Sequence, residues 1–183
     1  MGQYYKPIIL EEKSEHDAET IDRWWLACDF DNGSKLMEHS WIGNDFVAEV
    51  EHYLINNPSR LVWAGDYADN EEDGVIPDTN LYIRCERQDK QNPTSGLDTR
   101  ETDGMFVINH DKKEYYIRPA YDKNEWQVNP LPILTSEGNG RGGGDYRGEE
   151  ELVGSWARDH IEYSQENPGE DYTEIHPGFK DDL

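Results

Sequence analysis

The chain has 183 residues, of which 34% are hydrophobic, and its 40 acidic and 17 basic residues give a formal net charge of −23. The acidic excess is spread along the chain, so it is not an acidic tail attached to a neutral domain. Such a surface excludes binding to nucleic acid or anionic lipid by ordinary electrostatics, which needs basic patches. It favours binding to basic surfaces, including those that hold nucleic acid.

Length and aromatic content predict one folded domain. Six Trp, eleven Tyr and four Phe bury large apolar areas, and disordered chains seldom keep so many aromatic rings. We predict a single α+β domain over residues 1–164, with a mainly antiparallel sheet, one clear helix and long polar loops. An acidic, loosely packed tail is expected over residues 165–183.

Targeting signals are not found in the sequence. No apolar stretch approaches the roughly 18 residues of a membrane span. The start, MGQYYKPIIL, lacks the basic and long apolar regions of a signal peptide. The two cysteines, Cys28 and Cys85, do not make a disulfide framework. We therefore expect a cytoplasmic protein.

The first predicted elements are two strands and a helix. YYKPIIL (residues 4–10) predicts a strand, at an edge position because it contains Pro7. IDRWWLACDF (residues 21–30) predicts a second strand that ends at the turn signal Asp-Asn-Gly. The clear helix covers residues 44–56 approximately, with Asn44 as N-cap, apolar residues at helical spacing and an Asn-Asn-Pro stop.

The middle of the chain predicts further strands between polar loops. RLVWAGDY (residues 60–67) is typical of a short buried strand, and it opens into the acidic sequence ADNEEDGVIPD. NLYIRCER (residues 80–87) alternates as a strand does, and a long polar loop follows over residues 88–104. A hairpin is predicted with strands near residues 105–109 and 114–118.

The last third predicts little regular structure. EWQVNPLPILT (residues 125–135) is expected to be extended, because it contains two prolines. EEELVGSWARDHIEYS (residues 149–164) predicts a short helix that leads into a strand near residues 160–164.

The stretch TSEGNGRGGGDYRGEE (residues 135–150) contains a G-x-G-x-x-G match at Gly138, Gly140 and Gly143. A dinucleotide site also needs a helix that begins at these glycines, within a βαβ unit, and here Asp-Tyr-Arg-Gly follows. No Gly-Lys-Ser/Thr follows either, so the Walker form fails. The pattern favours a structural or partner-contacting loop, and phosphate binding stays open as the alternative.

Catalytic and metal-binding patterns are incomplete. Glu49 and His52 have the i, i+3 spacing of di-metal carboxylate bundles, without the second pair that such sites need. The acidic runs DFDNGS and DYADNEEDG do not fit the EF-hand spacing. No histidine pairs with Cys28 or Cys85 at zinc-ligand spacing, and no G-x-S-x-G occurs. We predict no cofactor, no metal and no catalytic residue.

A family resemblance is carried by several segments: the start MGQYYKPIIL, then DNGSKLMEHSWIGNDFV, WAGDYAD, FVINHDKKEYY, NPLPILTSEGNGRGGGDY and GSWARDHIEY. These segments resemble a family of small proteins from phages and mobile elements of gut Firmicutes. That family is similar to anti-CRISPR inhibitors of the type II RNA-guided nuclease. The resemblance implies a non-enzymatic binding protein in the host bacterial cytoplasm, whose partner is the guide-loaded nuclease.

The nuclease suggests how an acidic protein would inhibit it. Such effectors hold the target duplex and the guide–target hybrid in basic channels and read a short motif with arginines. An acidic protein that occupies these surfaces would block binding or cleavage of target DNA. The residues that we predict to contact the partner are Asp66, Asp69, Glu71, Glu72, Asp73, Gly142, Gly143, Gly144, Asp145, Glu149, Glu150 and Glu151. The alternative is a small enzyme or a nucleotide- or metal-binding protein that uses the glycine-rich loop and nearby carboxylates.

Overall fold

The computed structural model describes residues 2–138 and 151–180. These residues form a single α+β domain around a mainly antiparallel, mixed sheet of eight strands, as predicted. The strands are β1 Tyr5–Leu10, β2 Ile21–Trp24, β3 Ser59–Gly65, β4 Phe106–Asn109, β5 Glu114–Ile117, β6 Ser136–Glu137, β7 His160–Ser164 and β8 Thr173–Glu174. The helices are α1 Leu36–His39, α2 Asp45–Tyr53, α3 Leu81–Arg84 and α4 Pro130–Leu134, with 3-10 turns at Ala27–Phe30 and Cys85–Arg87.

The strand order is β2-β1-β3-β7-β4-β5-β8, and β6 pairs with β3 in parallel. Every residue of β1 and β3 is buried, because both faces of this part of the sheet are covered. One face packs in the main core with helices α2 and α4. The other face packs in a smaller core that includes residues from α3.

Strand β1 lies inside the sheet, so the edge position predicted from Pro7 is wrong. Ile8 is opposite Trp24, the last residue of β2, which places Pro7 just beyond the end of that neighbour. The Pro7 carbonyl accepts a hydrogen bond from the Trp25 amide at 3.2 Å. The Pro7 nitrogen faces the same side, where β2 has ended. The missing N–H therefore removes no bond from the ladder.

Local signals predicted the helix and the hairpin correctly. In α2 the Asn44 side chain accepts a hydrogen bond from the Val47 amide at 3.1 Å, which caps the helix. Strands β4 and β5 pair antiparallel from Phe106 opposite Ile117 to Asn109 opposite Glu114.

The strand predicted for residues 80–87 is wrong, because these residues form α3 and a 3-10 turn. The Asn80 side chain caps α3 by accepting a hydrogen bond from the Ile83 amide at 3.1 Å. Leu81, Arg84 and Cys85 are buried, and their spacing is that of one helical face. The apolar alternation of NLYIRCER concealed this helical spacing.

Residues 130–134 form α4, so the extended structure predicted there is also wrong. The Asn129 side chain accepts from the Leu131 amide at 3.1 Å, and Pro130 stands in the first turn. Proline is tolerated in a first turn because the amides there have no helical acceptor. The predicted second strand likewise ends early, at Trp24, and its remainder forms a 3-10 turn.

Near the end of the chain, the predicted strand at residues 160–164 is confirmed as β7, whereas the described residues 151–158 form turns rather than a helix. The tail contributes β8, which pairs in parallel with β5, and its Phe179 lies in the main core. Most other tail side chains are exposed. Among the residues described, no helix has the length and apolar character needed to cross a membrane.

Candidate functional site

The acidic loop, defined here as residues 66–79, follows β3 and holds six carboxylates and no basic residue. It begins in a tight turn that the Ala68 amide closes by donating to the Gly65 carbonyl at 3.1 Å. The Asn80 side chain donates to the carbonyls of Asp66 at 3.1 Å and Ala68 at 2.9 Å. The Glu71 amide donates to the Thr79 carbonyl at 2.9 Å. The backbone of the loop is therefore fastened at both ends.

Arg158 ties this loop to the sheet. Its guanidinium donates to both oxygens of Glu71, at 2.5 and 3.1 Å, and to both oxygens of Glu137 in β6, at 2.5 and 2.8 Å. The exposed fraction of the side chain is 13% for Arg158, 9% for Glu71 and 5% for Glu137. Burial alone would lower the pKa of Arg158, but the hydrogen bonds to Glu71 and Glu137 outweigh it and raise this pKa. Arg158 is therefore always charged and holds two carboxylates that face inward.

A second arginine holds the far side of the loop. Arg84 in α3 donates to both carboxylate oxygens of Asp73, at 2.5 and 3.0 Å, and to the Ile76 carbonyl at 3.0 Å. The hydrogen bond from Arg84 is the main cause that lowers the pKa of Asp73 to about 2. Glu71 and Asp73, both predicted to contact a partner, are thus engaged in ion pairs within the protein.

The remaining acids of the loop face solvent. Asp69, Glu72 and Asp78 are exposed, and Asp66 is half-buried. An open concavity of about 730 Å³ is lined by Asp69, Asn70, Glu71, Glu72, Gly74, Pro77 and Asp78. The loop therefore presents negative charge around a shallow depression, and the ion pairs of Glu71 and Asp73 with Arg158 and Arg84 hold the loop against the rest of the domain.

Exposed apolar side chains lie beside these acids. They were not predicted from the sequence. Tyr4 and Tyr67 are 47% and 49% exposed, and Val75 and Ile83 are also largely exposed. All four lie on the acidic loop, on the strand end paired with it, or on α3. No alternation in the sequence distinguishes exposed Tyr4 from buried Tyr5, because every residue of β1 is buried. Exposed aromatic rings beside charges are typical of protein-binding surfaces.

The described part of the glycine-rich stretch forms β6, which ends beside the start of the acidic loop. Strand β6 runs parallel to β3, with Trp63 opposite Ser136 and Ala64 opposite Glu137. Gly65 permits this approach, since a Cβ there would lie 3.0 Å from the Glu137 carbonyl oxygen and 2.7 Å from the Gln3 side chain. Six predicted contact residues lie outside the described residues: Gly142, Gly143, Gly144, Asp145, Glu149 and Glu150. Of the glutamate block only Glu151 is described, and it is exposed.

The Glu–His pair on α2 does not form a shared site. Glu49 accepts hydrogen bonds from the Thr94 amide and hydroxyl, whereas His52 contacts the Asp98 carbonyl at 2.8 Å. Across residues 2–138 and 151–180, no group of three or more His, Cys, Asp or Glu side chains is arranged to hold a metal ion.

Comparison with known proteins found no matching family model, no matching curated protein and no matching solved structure. The resemblance to phage-encoded inhibitors therefore stays a prediction. The geometry itself defines an acidic, tyrosine-flanked surface on a single α+β domain.

Proposed function

We propose that this protein binds a basic, nucleic-acid-binding surface of another protein through its acidic loop and thereby inhibits that protein. The main support for the proposal is that Asp69, Glu72 and Asp78 are exposed. They lie on a loop that ion pairs with Arg158 and Arg84 hold against the rest of the domain. A loop that is already held in place loses less conformational entropy on binding a cationic surface than a flexible loop does.

The charge of the whole protein supports the same proposal. A compact chain of this length is roughly 40 Å across, given a radius of gyration of about 16 Å. Duplex DNA carries on the order of 24 charges over that distance. The net charge of −23 is therefore similar to that of a duplex segment of equal length. The protein would compete for a channel that is built to hold a duplex.

The partner that we propose is the type II RNA-guided effector nuclease with its guide RNA bound. This choice rests on the family resemblance of the sequence and on the basic channels of such effectors. The experiment is cleavage of target DNA by the guide-loaded nuclease, with and without this protein, at a low and a high salt concentration. Inhibition that weakens at high salt is expected, because counterions screen exposed charges.

A matched pair of variants assigns the effect to the loop. Asp69→Asn/Glu72→Gln/Asp78→Asn neutralises three exposed acids at the loop, and Glu166→Gln/Glu170→Gln/Asp171→Asn neutralises three exposed acids in the tail. We expect the loop variant to lose inhibition by about tenfold or more and the tail variant to retain it, since close charges contribute most to binding. Equal losses would contradict a role of the loop, and no inhibition of several effectors would overturn the proposed partner.

A second candidate function is favoured by the parallel pairing of β3 and β6. The carboxyl ends of neighbouring parallel strands are where α/β sheets bind small ligands, and the acidic loop and the glycine-rich stretch both leave the sheet at such ends. The protein would then be a small enzyme or a nucleotide- or metal-binding protein. Gly142→Ala/Gly143→Ala would chiefly affect binding of a nucleotide or divalent cation under this candidate.

A further inference from the structure

The tyrosines beside the acidic loop form a small cluster around Asp66. The Tyr4 amide donates to Asp66 Oδ1 at 3.0 Å, and the Asp66 amide donates to the Tyr4 carbonyl at 2.9 Å, which extends the pairing of β1 with β3 by one residue. Tyr67 is the next residue in the tight turn that closes at Ala68. Both tyrosine side chains are about half exposed. Asp66 thus lies opposite Tyr4 on the neighbouring strand and next to Tyr67 in the chain.

The carboxylate retains acceptor capacity. Within the described residues, Asp66 Oδ1 accepts from the Tyr4 amide, and Oδ2 has no hydrogen-bond donor. Tyr82, a half-buried residue of α3, lies near Asp66. Burial raises the pKa of Tyr82 to about 12, and the negative charge of Asp66 adds to the rise. Among residues 2–138 and 151–180, no basic side chain forms an ion pair with Asp66, unlike Glu71 and Asp73 in the same loop.

The chain itself binds a cation with aromatic rings and a carboxylate at Lys6 in β1. The Lys6 ammonium lies 3.8 Å from the Tyr82 ring centroid and 4.9 Å from the Trp24 ring centroid, and its Nζ is 2.7 Å from Glu86. In that position the cation, Lys6, and both rings, Tyr82 and Trp24, belong to the protein itself. The outer cluster of Tyr4, Asp66 and Tyr67 offers rings and a carboxylate, to which the described part of the chain supplies no cation.

We propose that Tyr4, Asp66 and Tyr67 form a subsite for the guanidinium group of an arginine side chain on the partner protein. This inference rests on the proposed binding of a basic surface and names the side chain that the surface inserts. Arginine fits better than lysine for two reasons. Its planar guanidinium stacks on aromatic rings, and its fork of donors suits a carboxylate, whereas the lysine ammonium is a compact and more strongly hydrated charge.

The test compares two peptides of equal length and charge, nona-arginine and nona-lysine, each carrying the same fluorophore. Fluorescence anisotropy measures their binding to the full-length protein. We expect nona-arginine to bind about three- to tenfold more tightly, the range that stacking on two exposed rings provides. Tyr4→Ala/Tyr67→Ala should remove this preference, and Tyr4→Phe/Tyr67→Phe should keep most of it, because phenylalanine retains the ring.

Two controls separate the subsite from general effects. Tyr121→Ala removes a tyrosine of similar exposure from a different loop and should leave both affinities unchanged. Asp66→Asn should weaken nona-arginine more than nona-lysine. Thermal unfolding of each variant shows that the fold is retained.

The outcomes distinguish the subsite from the proposed function. If both peptides bind equally and the alanine variants weaken both alike, the arginine subsite is overturned and the acidic surface remains. If neither peptide binds the wild-type protein, binding of basic surfaces fails and the inference fails with it. A preference for arginine that survives Tyr4→Ala/Tyr67→Ala would place the recognition elsewhere and would also overturn the subsite.

Discussion

Arg158 and Glu71 are 87 residues apart in the chain and form a two-point ion pair, with N–O distances of 2.5 and 3.1 Å. The same guanidinium binds Glu137 at the end of β6. Arg158 has a left-handed backbone conformation, with φ of 71°, which is uncommon for a residue other than glycine. Arg158 thus joins the acidic loop to the sheet, at some cost in backbone strain.

Replacing Arg158 should destabilise the protein more than replacing an exposed arginine. Arg158→Ala leaves Glu71 and Glu137 buried without their cation, so we expect the free energy of unfolding to fall by about 2–4 kcal/mol. Arg158→Lys should recover only part of this loss, because an ammonium does not bind two carboxylates in two-point fashion. Urea unfolding measures the change. Arg100→Ala, at a side chain 66% exposed, is the control and should cost less than about 0.5 kcal/mol. Equal losses for both variants would contradict the role of Arg158.

The buried pair of Glu51 and Arg118 should act as one unit in stability. Glu51 Oε2 lies 3.1 Å from Arg118 Nη2, and Glu51 also accepts from the side chains of Thr102, Asn129 and Tyr163. Breaking such a pair leaves an uncompensated buried charge, so Glu51→Gln or Arg118→Met should each cost about 3–5 kcal/mol. The double variant should cost clearly less than the sum of the two, which a double-mutant cycle in urea measures. Strict additivity would show that the two side chains act independently.

Stability should fall in acid because His39 is buried in its neutral form. Its Nε2 accepts from the Trp63 indole at 2.9 Å, so Nδ1 carries the proton and donates to the Gly33 carbonyl at 2.9 Å. Burial is the main cause that lowers the pKa of His39 to about 4 from 6.5. This stabilising contribution is fully present above pH 6.5 and is lost as the pH falls through the folded-state pKa. The total is about 3 kcal/mol by linkage.

The measurement for His39 is urea unfolding of the wild type and His39→Gln over a pH series. The advantage of the wild type should shrink steadily from neutral pH toward pH 4, because glutamine does not titrate. A difference that stays constant over this range would mean that His39 is not buried in the neutral form.

His160 should have the opposite pH dependence. Its Nδ1 is 2.9 Å from Asp111 and its Nε2 is 2.6 Å from Glu12. Burial alone would lower the pKa of His160, but the hydrogen bonds to these carboxylates raise it above 6.5. Its contribution is therefore fully present below the unfolded-state pKa and is lost as the pH rises through the folded-state value. Because the site is partly exposed, the effect should be less than about 1 kcal/mol.

A histidine titration by NMR tests this contribution directly. The His160 ring should titrate above the value of a model peptide, and Asp111→Asn should move its pKa downward. Asp159, Lys112 and Arg60 also lie near this cluster, and they are unchanged in that variant. An unshifted His160 pKa in Asp111→Asn would show that Asp111 does not stabilise the charged ring.

Elements with local signals were predictable from the sequence, because the interactions that form them are between residues close in the chain. The N-cap of α2 at Asn44 and the hairpin of β4 and β5 are of this kind. The prediction of a strand over residues 80–87 was wrong because Asn80 caps a helix. Its side chain also donates hydrogen bonds to the carbonyls of Asp66 and Ala68. Those acceptors come from a distant segment, which the sequence pattern does not contain.

The sequence by itself determined the charge of this protein, its α+β class and the position of the acidic loop in the chain. Only the tertiary structure decided which acids face outward, because Arg84 and Arg158 neutralise Asp73 and Glu71 from other segments. It also decided that Tyr4 lies opposite Asp66, since this depends on the register of β1 against β3. The net charge is the sum over all residues and does not depend on the fold. The composition of a surface does depend on it, because long-range packing decides which side chains are exposed.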